Sequence, residues 1–156
     1  MIVIGGPVLK REYPLQPIVG VGALIVHDNR LVLVKRGVEP GKGQWSIPGG
    51  AVNLGEEVRT AAVREANEEC GLDIEIVNEE PMDAVDNIFR DEKGGFIYHY
   101  VLLQFLARPR GGKLKPGSDV LAVEWVPFDK VETYNLTKSF RVFFKRHRDE
   151  LKDPNR

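Results

Sequence analysis

The sequence predicts an α+β fold in which a mixed sheet lies between two main helices. Residues 18–34 follow an apolar, turn, apolar pattern that is typical of a β-hairpin. Residues 58–70 and 137–151 repeat apolar residues every three or four positions, as amphipathic helices do. Strand-like segments fill much of the remaining chain. This order favours a single sandwich with the sheet in its centre.

Length and composition fit one soluble domain. The 156 residues include 22 Lys and Arg against 23 Asp and Glu, and the formal net charge is −1. A protein that coats long nucleic acid needs a clear basic excess, so that class is excluded, whereas small anionic ligands are not. The single cysteine, Cys70, excludes an intrachain disulfide and fits a reducing compartment. No apolar run approaches the roughly 20 residues of a membrane span, so we expect a cytoplasmic protein.

The first elements follow from prolines, glycines and turn residues. Residues 1–17 contain three prolines and predict an N-terminal arm or a peripheral strand, and the main domain is expected over residues 18–152. Asp28 and Asn29 form the turn pair between the two hairpin strands. Residues 37–44 hold three glycines and one proline, so they predict a loop.

The first helix has the clearest local pattern. A short strand is expected at residues 45–47, and a helix is expected at residues 58–70. The apolar positions of this helix recur every four residues, at Val58, Ala62, Ala66 and Cys70. Gly71 is placed to cap its C-terminus.

The second half of the chain predicts four strands and the second helix. Strands are expected at residues 74–77, 83–90, 96–107 and 120–126. Residues 92–95 predict a hairpin turn, and residues 109–117, rich in Gly, Pro and Lys, predict a surface loop. The helix at 137–151 is supported by the helical spacing of Phe140, Phe143, Phe144, His147 and Leu151.

Three carboxylates on the first helix predict a cation site. Glu65 precedes Glu68 and Glu69 by three and four residues, so the three side chains share one flank. Like charges at these spacings cost roughly 0.2–0.5 kcal/mol each, and acids near a helix C-terminus oppose its dipole. Carboxylates without neighbouring His or Cys suit Mg²⁺ or Mn²⁺. Mg²⁺ held in this way keeps positions open for phosphate oxygens.

The carboxylates belong to a longer pattern. A Glu-Glu pair alone is typical of a solvated helix face, but seven fixed positions coincide by chance in about one window in 10⁸ at about 7% per residue type. The segment resembles the Nudix box, G-x5-E-x7-R-E-U-x-E-E-x-G-U, where U is a bulky aliphatic residue. Leu72 fits the last U, and Ala66 is smaller than usual at the first. The seven matching positions are Gly50, Glu56, Arg64, Glu65, Glu68, Glu69 and Gly71.

The Nudix resemblance implies an α/β/α sandwich and hydrolysis of a nucleoside diphosphate linked to another group. It implies that Glu65, Glu68 and Glu69 bind Mg²⁺ or Mn²⁺, with the Gly49 carbonyl as a fourth donor. A metal-activated water would attack one phosphorus while cations neutralise charge on the bridging oxygen. Glu65 or a carboxylate outside the box would be the general base.

The same resemblance implies roles for three further residues. Glu56 and Arg64 resemble the pair that orients the loop and the helix of the box, and Glu56 can reach the metal through water. Glu124 matches a position that supplies an additional carboxylate in some members. An ordinary strand residue facing solvent is the alternative for Glu124.

Cations just before the box are candidates for binding substrate phosphate. Lys35 and Arg36 end the second hairpin strand, and Lys42 lies in the following loop. Arg36 resembles an arginine that contacts phosphate or nucleotide in the family. Solvated surface cations are the alternative for all three.

The expected substrate is a small nucleotide, most specifically ADP-ribose or a related nucleotide sugar. Residues 86–102 resemble a subgroup of Nudix proteins called ADP-ribose pyrophosphatases. Asn87 stands where well-studied ADP-ribose enzymes have proline, and Ile88 stands where the dinucleoside polyphosphate group has tyrosine. Two alternatives stay open: a house-cleaning pyrophosphohydrolase for oxidised or noncanonical nucleoside triphosphates, and a sensor that binds nucleotide without hydrolysis. A homodimer is also expected, with the arm crossing to a partner.

Overall fold

The computed structural model describes residues 10–152. Within them the order is β1 (Ile18–His27), β2 (Arg30–Arg36), β3 (Trp45–Ser46), β4 (Gly49–Ala51), α1 (Val58–Cys70), β5 (Leu72–Ile76), β6 (Asp83–Arg90), β7 (Phe96–Gly112), β8 (Val120–Pro127), α2 (Phe128–Val131) and α3 (Lys138–Leu151). Residues 1–9, the first part of the predicted arm, lie outside the described residues. Residues 10–17, called the arm segment below, form neither helix nor strand.

The sheet is mixed, as the sequence predicts. β1 runs parallel to β7 and antiparallel to β4, and β7 pairs antiparallel with both β5 and β6. At its far end β1 turns into β2, which pairs antiparallel with β3 and β8. The turn between β1 and β2 places Asp28 and Asn29 in the left-handed region, with φ of 50° and 57°, as a tight hairpin requires.

The two long helices cover opposite faces of the sheet. Alternate residues of β2 point to different sides, since Leu31 and Leu33 pack with α3 while Val32 and Val34 pack on the α1 side. On the α3 side the core is aromatic, with Phe140, Phe143 and Phe144 buried. On the α1 side it is built from the small residues Ala61, Ala62, Ala66 and Cys70. The predicted α+β class and the α/β/α sandwich are confirmed.

The helix α1 begins and ends at the residues that the sequence predicts. Gly71 takes φ of 76° directly after α1, and its N–H donates to the Asn67 carbonyl at 2.9 Å. A side chain at this position would also be blocked, because a Cβ would lie 2.4 Å from the Lys113 carbonyl oxygen. The cap therefore fixes where the helix ends and β5 begins.

One local prediction differs from the structure, and two short elements were not predicted from the sequence. Residues 109–112, predicted as loop, extend β7 because they pair with β5, and Pro109 is accommodated beside an irregularity in that pairing. β4 pairs with the glycine-containing start of β1. The hydrophobicity pattern of β4 alone does not predict this pairing. α2 has only four residues, too few for a periodic signal. Among residues 10–152, no helix has the length and apolar character needed to cross a membrane.

Candidate active site

Arg64 joins α1 to the loop that precedes it. Its Nε and Nη2 donate to the two carboxylate oxygens of Glu56 at 2.7 and 2.9 Å, and Nη2 also donates to the Ala51 carbonyl at 3.1 Å. The Asn53 N–H donates to Glu56 at 3.1 Å. These bonds from Arg64 and then Asn53 lower the pKa of Glu56 to about 2. The forked contact fixes the loop against the helix.

Arg64 also contacts two carboxylates on its own helix. Its Nη1 donates to Glu65 at 2.8 Å and to Glu68 at 3.1 Å. The bonds to Glu56 come first among the causes that raise the pKa of Arg64, so the guanidinium stays charged. The single positive charge of Arg64 thus contacts three carboxylates, so the group has an excess of negative charge. We call Glu56, Arg64, Glu65, Glu68 and Glu69 the box cluster.

The Glu65 side chain extends from α1 towards β4. Its side chain is 14% exposed, and this burial raises its pKa while Arg64 lowers it. The carboxylate is so close to Gly50 that a Cβ there would lie 2.5 Å from its carbon and from one oxygen. Gly50 pairs with Val21 on β1, so it cannot move away without disturbing the sheet. The absence of a side chain at Gly50 therefore leaves the space that the Glu65 carboxylate occupies.

Glu69 is the most strongly perturbed carboxylate of the box cluster. Its Oε2 accepts a hydrogen bond from the Gly49 N–H at 3.3 Å. Burial is the main cause that raises its pKa to about 8, and the negative charges of Glu65 and Asp119 add to it, while Gly49 and Arg36 act in the opposite direction. A carboxyl group shifted this far by burial and neighbouring acids is typical of a functional site.

The donor chemistry of Glu65 and Glu69 fits a divalent cation. Both are partly buried carboxylates on one flank of α1, and both face the glycines of β4. A hard cation such as Mg²⁺ or Mn²⁺ would keep both ionised. Glu68 instead has a side chain that is 57% exposed and pairs with Arg64. Across residues 10–152, no three Asp, Glu, His or Cys side chains converge as a preformed metal site.

Of the predicted phosphate-binding cations, the structure brings Arg36 to the acids. Its positive charge acts on Glu69, and burial lowers the pKa of Arg36 while Glu69 raises it. Its Nε donates to the Pro40 carbonyl at 2.7 Å, which fixes the side chain. Lys35 lies opposite Ala122 in the pairing of β2 with β8, which is irregular between Lys35 and Arg36.

Lys42 and Glu124 are both exposed, and within residues 10–152 neither bonds to a residue of the box cluster. Lys42 is exposed in the loop after β2. Glu124 is exposed on β8 and lies opposite Leu33, a residue of the α3 side. It accepts a hydrogen bond from the Tyr134 hydroxyl. The structure therefore does not bring Glu124 to the carboxylates of α1.

Asp119 and Arg11 were missed from the sequence, although their charges act within the site. Asp119 raises the pKa of Glu69 after burial and Glu65, and Arg11 lowers that of Glu65 after Arg64. Asp119 comes from the β7–β8 loop, where its carbonyl accepts the Gly37 N–H at 3.2 Å. Arg11 comes from the arm segment. No spacing rule links either residue to the box, because only the tertiary fold brings them there.

Known proteins are similar to this chain in sequence and in fold. The family model described as the NUDIX domain matches residues 16–147. A protein of Methanocaldococcus jannaschii named ADP-ribose pyrophosphatase is 36% identical over 116 residues, which are 74% of this chain and 65% of that protein. The match thus spans less than two thirds of that relative's own length.

Solved structures give the same result. A MutT NUDIX hydrolase from Burkholderia pseudomallei has a TM-score of 0.70 and 32% identity, covering 83% of this chain and 97% of that one. A MutT protein from Methanosarcina mazei Go1 has a TM-score of 0.71 and 26% identity, covering 89% and 99%. The box, the sandwich and these matches agree, and the chain belongs to the Nudix family.

Proposed function

We propose that the protein is a divalent-metal-dependent pyrophosphohydrolase that cleaves the diphosphate of ADP-ribose or a related nucleotide sugar. The observation that carries the proposal is the pair Glu65 and Glu69, two partly buried carboxylates set against Gly49 and Gly50 within reach of the charge of Arg36. The preference for ADP-ribose is supported by the similarity to the Methanocaldococcus jannaschii protein named ADP-ribose pyrophosphatase.

One group of residues would bind the cation, and another would bind the diphosphate of the substrate. Glu65 and Glu69 would hold Mg²⁺ or Mn²⁺, with Glu68 and the Gly49 carbonyl as further donors. When bound, the cation supplies positive charge that neutralises the diphosphate and the leaving oxygen. Arg36 faces the same anion from β2, and Arg64 keeps the loop and α1 in register through Glu56. Glu65 or Asp119 is the candidate acceptor of the proton from the attacking water.

A substrate screen tests the proposal. Purified protein is incubated with ADP-ribose, other nucleotide sugars, dinucleoside polyphosphates and nucleoside triphosphates, with Mg²⁺ or Mn²⁺ and again with excess chelator. AMP and ribose 5-phosphate from ADP-ribose, lost with chelator and restored by metal, are expected. Incorporation of ¹⁸O from labelled water identifies the attacked phosphorus. Absence of turnover on every nucleotide would contradict the proposal.

A triphosphate pyrophosphohydrolase is the second candidate. The MutT NUDIX hydrolase from Burkholderia pseudomallei, at 32% identity, is the neighbour that favours it. Release of inorganic pyrophosphate from an oxidised or noncanonical triphosphate, with a higher kcat/KM than for ADP-ribose, would select this alternative. Nucleotide binding without any product would select the sensor, although every charged box residue is present here.

We also propose that the protein is a homodimer located in the cytoplasm. The proposed domain boundaries are an N-terminal arm at residues 1–17 and the Nudix domain at residues 18–152. Sedimentation of the full chain measures the mass in solution, and a species of only 17.5 kDa would contradict the dimer. Fractionation of the source cell tests the location.

A further inference from the structure

β6 is an edge strand of the sheet. Among residues 10–152 it pairs with β7 alone, and all of its residues from Asp83 to Arg90 take part in that pairing. The register shifts between Phe89 and Arg90, but the extra residue, Ile97, lies on β7, so β6 itself stays regular. A regular edge strand presents N–H and C=O groups that another strand can bond to. The free side of β6 can therefore accept a further strand.

Apolar side chains are exposed along β6 and beside it on β7. Ile88 is 47% exposed, Phe96 is 45% exposed and Phe89 is also exposed. Strand alternation places Ile88 on the same face as Asp86 and Arg90, which are exposed as well. An exposed edge strand with apolar side chains is a typical site of association between chains. The charges on either side of Ile88 then decide which chain fits.

Asp86 and Arg90 lie two residues before and two residues after Ile88. Within residues 10–152 neither charged side chain has an ion-pair partner, and the Arg90 Cζ lies 4.4 Å from the centroid of the Phe96 ring. When two copies of β6 pair antiparallel about a two-fold axis at Ile88, Asp86 lies opposite the partner's Arg90. The axis repeats this contact, so two ion pairs form between opposite side chains. The strand is therefore complementary to itself.

Other antiparallel registers lose this match. A two-fold axis at Asp86 would set two aspartates opposite each other, and an axis at Arg90 would set two arginines opposite each other. Like charges directly opposite destabilise a pair of strands. An axis at Asn87 would place each charge opposite an uncharged residue. Charged residues on an edge strand usually oppose pairing, but here they favour the single register centred on Ile88.

We propose that β6 pairs antiparallel with β6 of a second copy of this chain, with the two-fold axis at Ile88, so that one sheet continues through both subunits. The inference rests on the homodimer of the proposed function and names its interface. The two copies of Ile88 lie opposite each other at the axis. No residue of the box cluster lies on β6, so variants of this strand leave the proposed metal-binding residues in place.

A charge exchange, measured by sedimentation equilibrium on the full chain, tests the ion pairs. Asp86→Arg and Arg90→Asp each turn two attractive pairs into two repulsive ones, so each should raise the Kd of the dimer by at least about tenfold. The double variant restores both pairs with opposite signs, and its Kd should return to within about threefold of wild type. Asp149→Arg reverses a fully exposed charge on α3 and should change Kd by less than about twofold.

A cysteine at the two-fold axis tests the register. Residues directly opposite in an antiparallel pair have Cα atoms about 4.5–5.5 Å apart, a distance that a disulfide can span. Oxidised Ile88→Cys should therefore run at twice 17.5 kDa on a denaturing gel without reductant. Leu121→Cys, at an exposed apolar position of β8, is the matched control and should stay at 17.5 kDa. The native Cys70 is buried in both variants.

The outcomes separate the interface from the dimer and from the enzyme. A wild-type dimer that both single reversals leave intact would overturn the β6 interface alone, as would a double variant no tighter than the single ones or an Ile88→Cys variant that does not cross-link. A wild type that is only monomeric would overturn the dimer together with its interface. Hydrolysis is measured on the same preparations, and its absence in a wild-type dimer would overturn the proposed reaction without affecting the interface. Urea unfolding of each variant shows that the fold is retained.

Discussion

Two ionic clusters join a helix to the sheet on opposite faces of this protein. The box cluster lies on the α1 side. On the α3 side, Asp83 accepts hydrogen bonds from Arg146 and pairs with His147, each at 2.9 Å, and His147 contacts Glu150 at 3.2 Å. We call these four residues the Asp83 cluster. The box cluster connects α1 to the loop just before it, the Asp83 cluster connects α3 to the distant strand β6, and both are partly buried.

The clusters differ in how the surroundings act on a central carboxylate. The box cluster sets four carboxylates against one guanidinium, and the pKa of Glu69 is raised by burial and its acidic neighbours. In the Asp83 cluster the bond from His147 is the first cause that lowers the pKa of Asp83, with burial opposing it and Arg146 supporting it. A carboxylate that its neighbours stabilise contributes to folding, whereas a surplus of buried acid costs stability unless a cation joins it. The surroundings of Glu69 disfavour its ionised form, which indicates function, whereas those of Asp83 favour its ionised form, which indicates structure.

The largest effect is expected for Glu69→Gln. The change removes one donor charge from the cation site and keeps the size of the side chain, so turnover should fall by more than about a hundredfold. The midpoint of urea unfolding should stay equal or rise slightly, because a buried acid is removed. Steady-state kinetics and unfolding on the same preparation measure both.

Glu57→Gln is the matched control for Glu69→Gln, since Glu57 is an exposed acid just before α1. It should leave turnover within about twofold, as surface substitutions away from a site usually do. Near-normal rates in Glu69→Gln would contradict the assignment of the box cluster as a cation site.

The adjacent glycines of β4 separate function from folding. In Gly50→Ala the new Cβ meets the flexible end of Glu65, so the carboxylate must move and activity should fall about tenfold with a small change in stability. In Gly49→Ala the Cβ would lie 2.1 Å from the Val21 carbonyl oxygen, which is backbone in a paired strand. That variant should lose about 2–3 kcal/mol of unfolding free energy.

Kinetics and urea unfolding of the two glycine variants check this order. If Gly50→Ala were as destabilised as Gly49→Ala, the Glu65 carboxylate would not be the group that yields. If Gly50→Ala kept full activity, the position of that carboxylate would not matter for turnover.

The third prediction concerns Asp83→Asn in the Asp83 cluster. Asp83 has a pKa below its usual 3.8 in the folded protein, so its ionised form stabilises the fold above about pH 4. This contribution is lost as pH falls through the lower folded pKa. Because the pairs are partly exposed, we expect Asp83→Asn to cost about 1 kcal/mol at pH 7. Turnover should stay within about twofold.

Urea unfolding of wild type and Asp83→Asn from pH 7 to pH 3 measures this linkage. The difference between the two proteins should be constant down to about pH 4 and shrink below it. A difference that grows with acidity would contradict the depressed pKa of Asp83.

Local patterns predicted the parts of the site that lie within one element or its flanking loop. The bounds of α1, the cap at Gly71 and the carboxylates at 65, 68 and 69 all follow from spacings of eight residues or fewer. The contact between Gly50 and Glu65 depends on how β4 pairs with β1, and the effect of Asp119 on Glu69 depends on how the β7–β8 loop folds against the site. Such contacts are set by tertiary packing, which spacing along the chain does not encode.

The smallest effect is expected for Glu124→Gln. This variant tests whether a match to a family position is enough to identify a metal ligand. Strand alternation puts Glu124 on the same side as the buried Val126, but only the sheet order reveals that this side faces α3. Glutamine can still accept the hydrogen bond from Tyr134, so kcat/KM and the Mg²⁺ requirement should stay within about twofold and stability within about 0.5 kcal/mol. A tenfold loss accompanied by a higher Mg²⁺ requirement would show that Glu124 reaches the cation, and the division between the two faces would then fail.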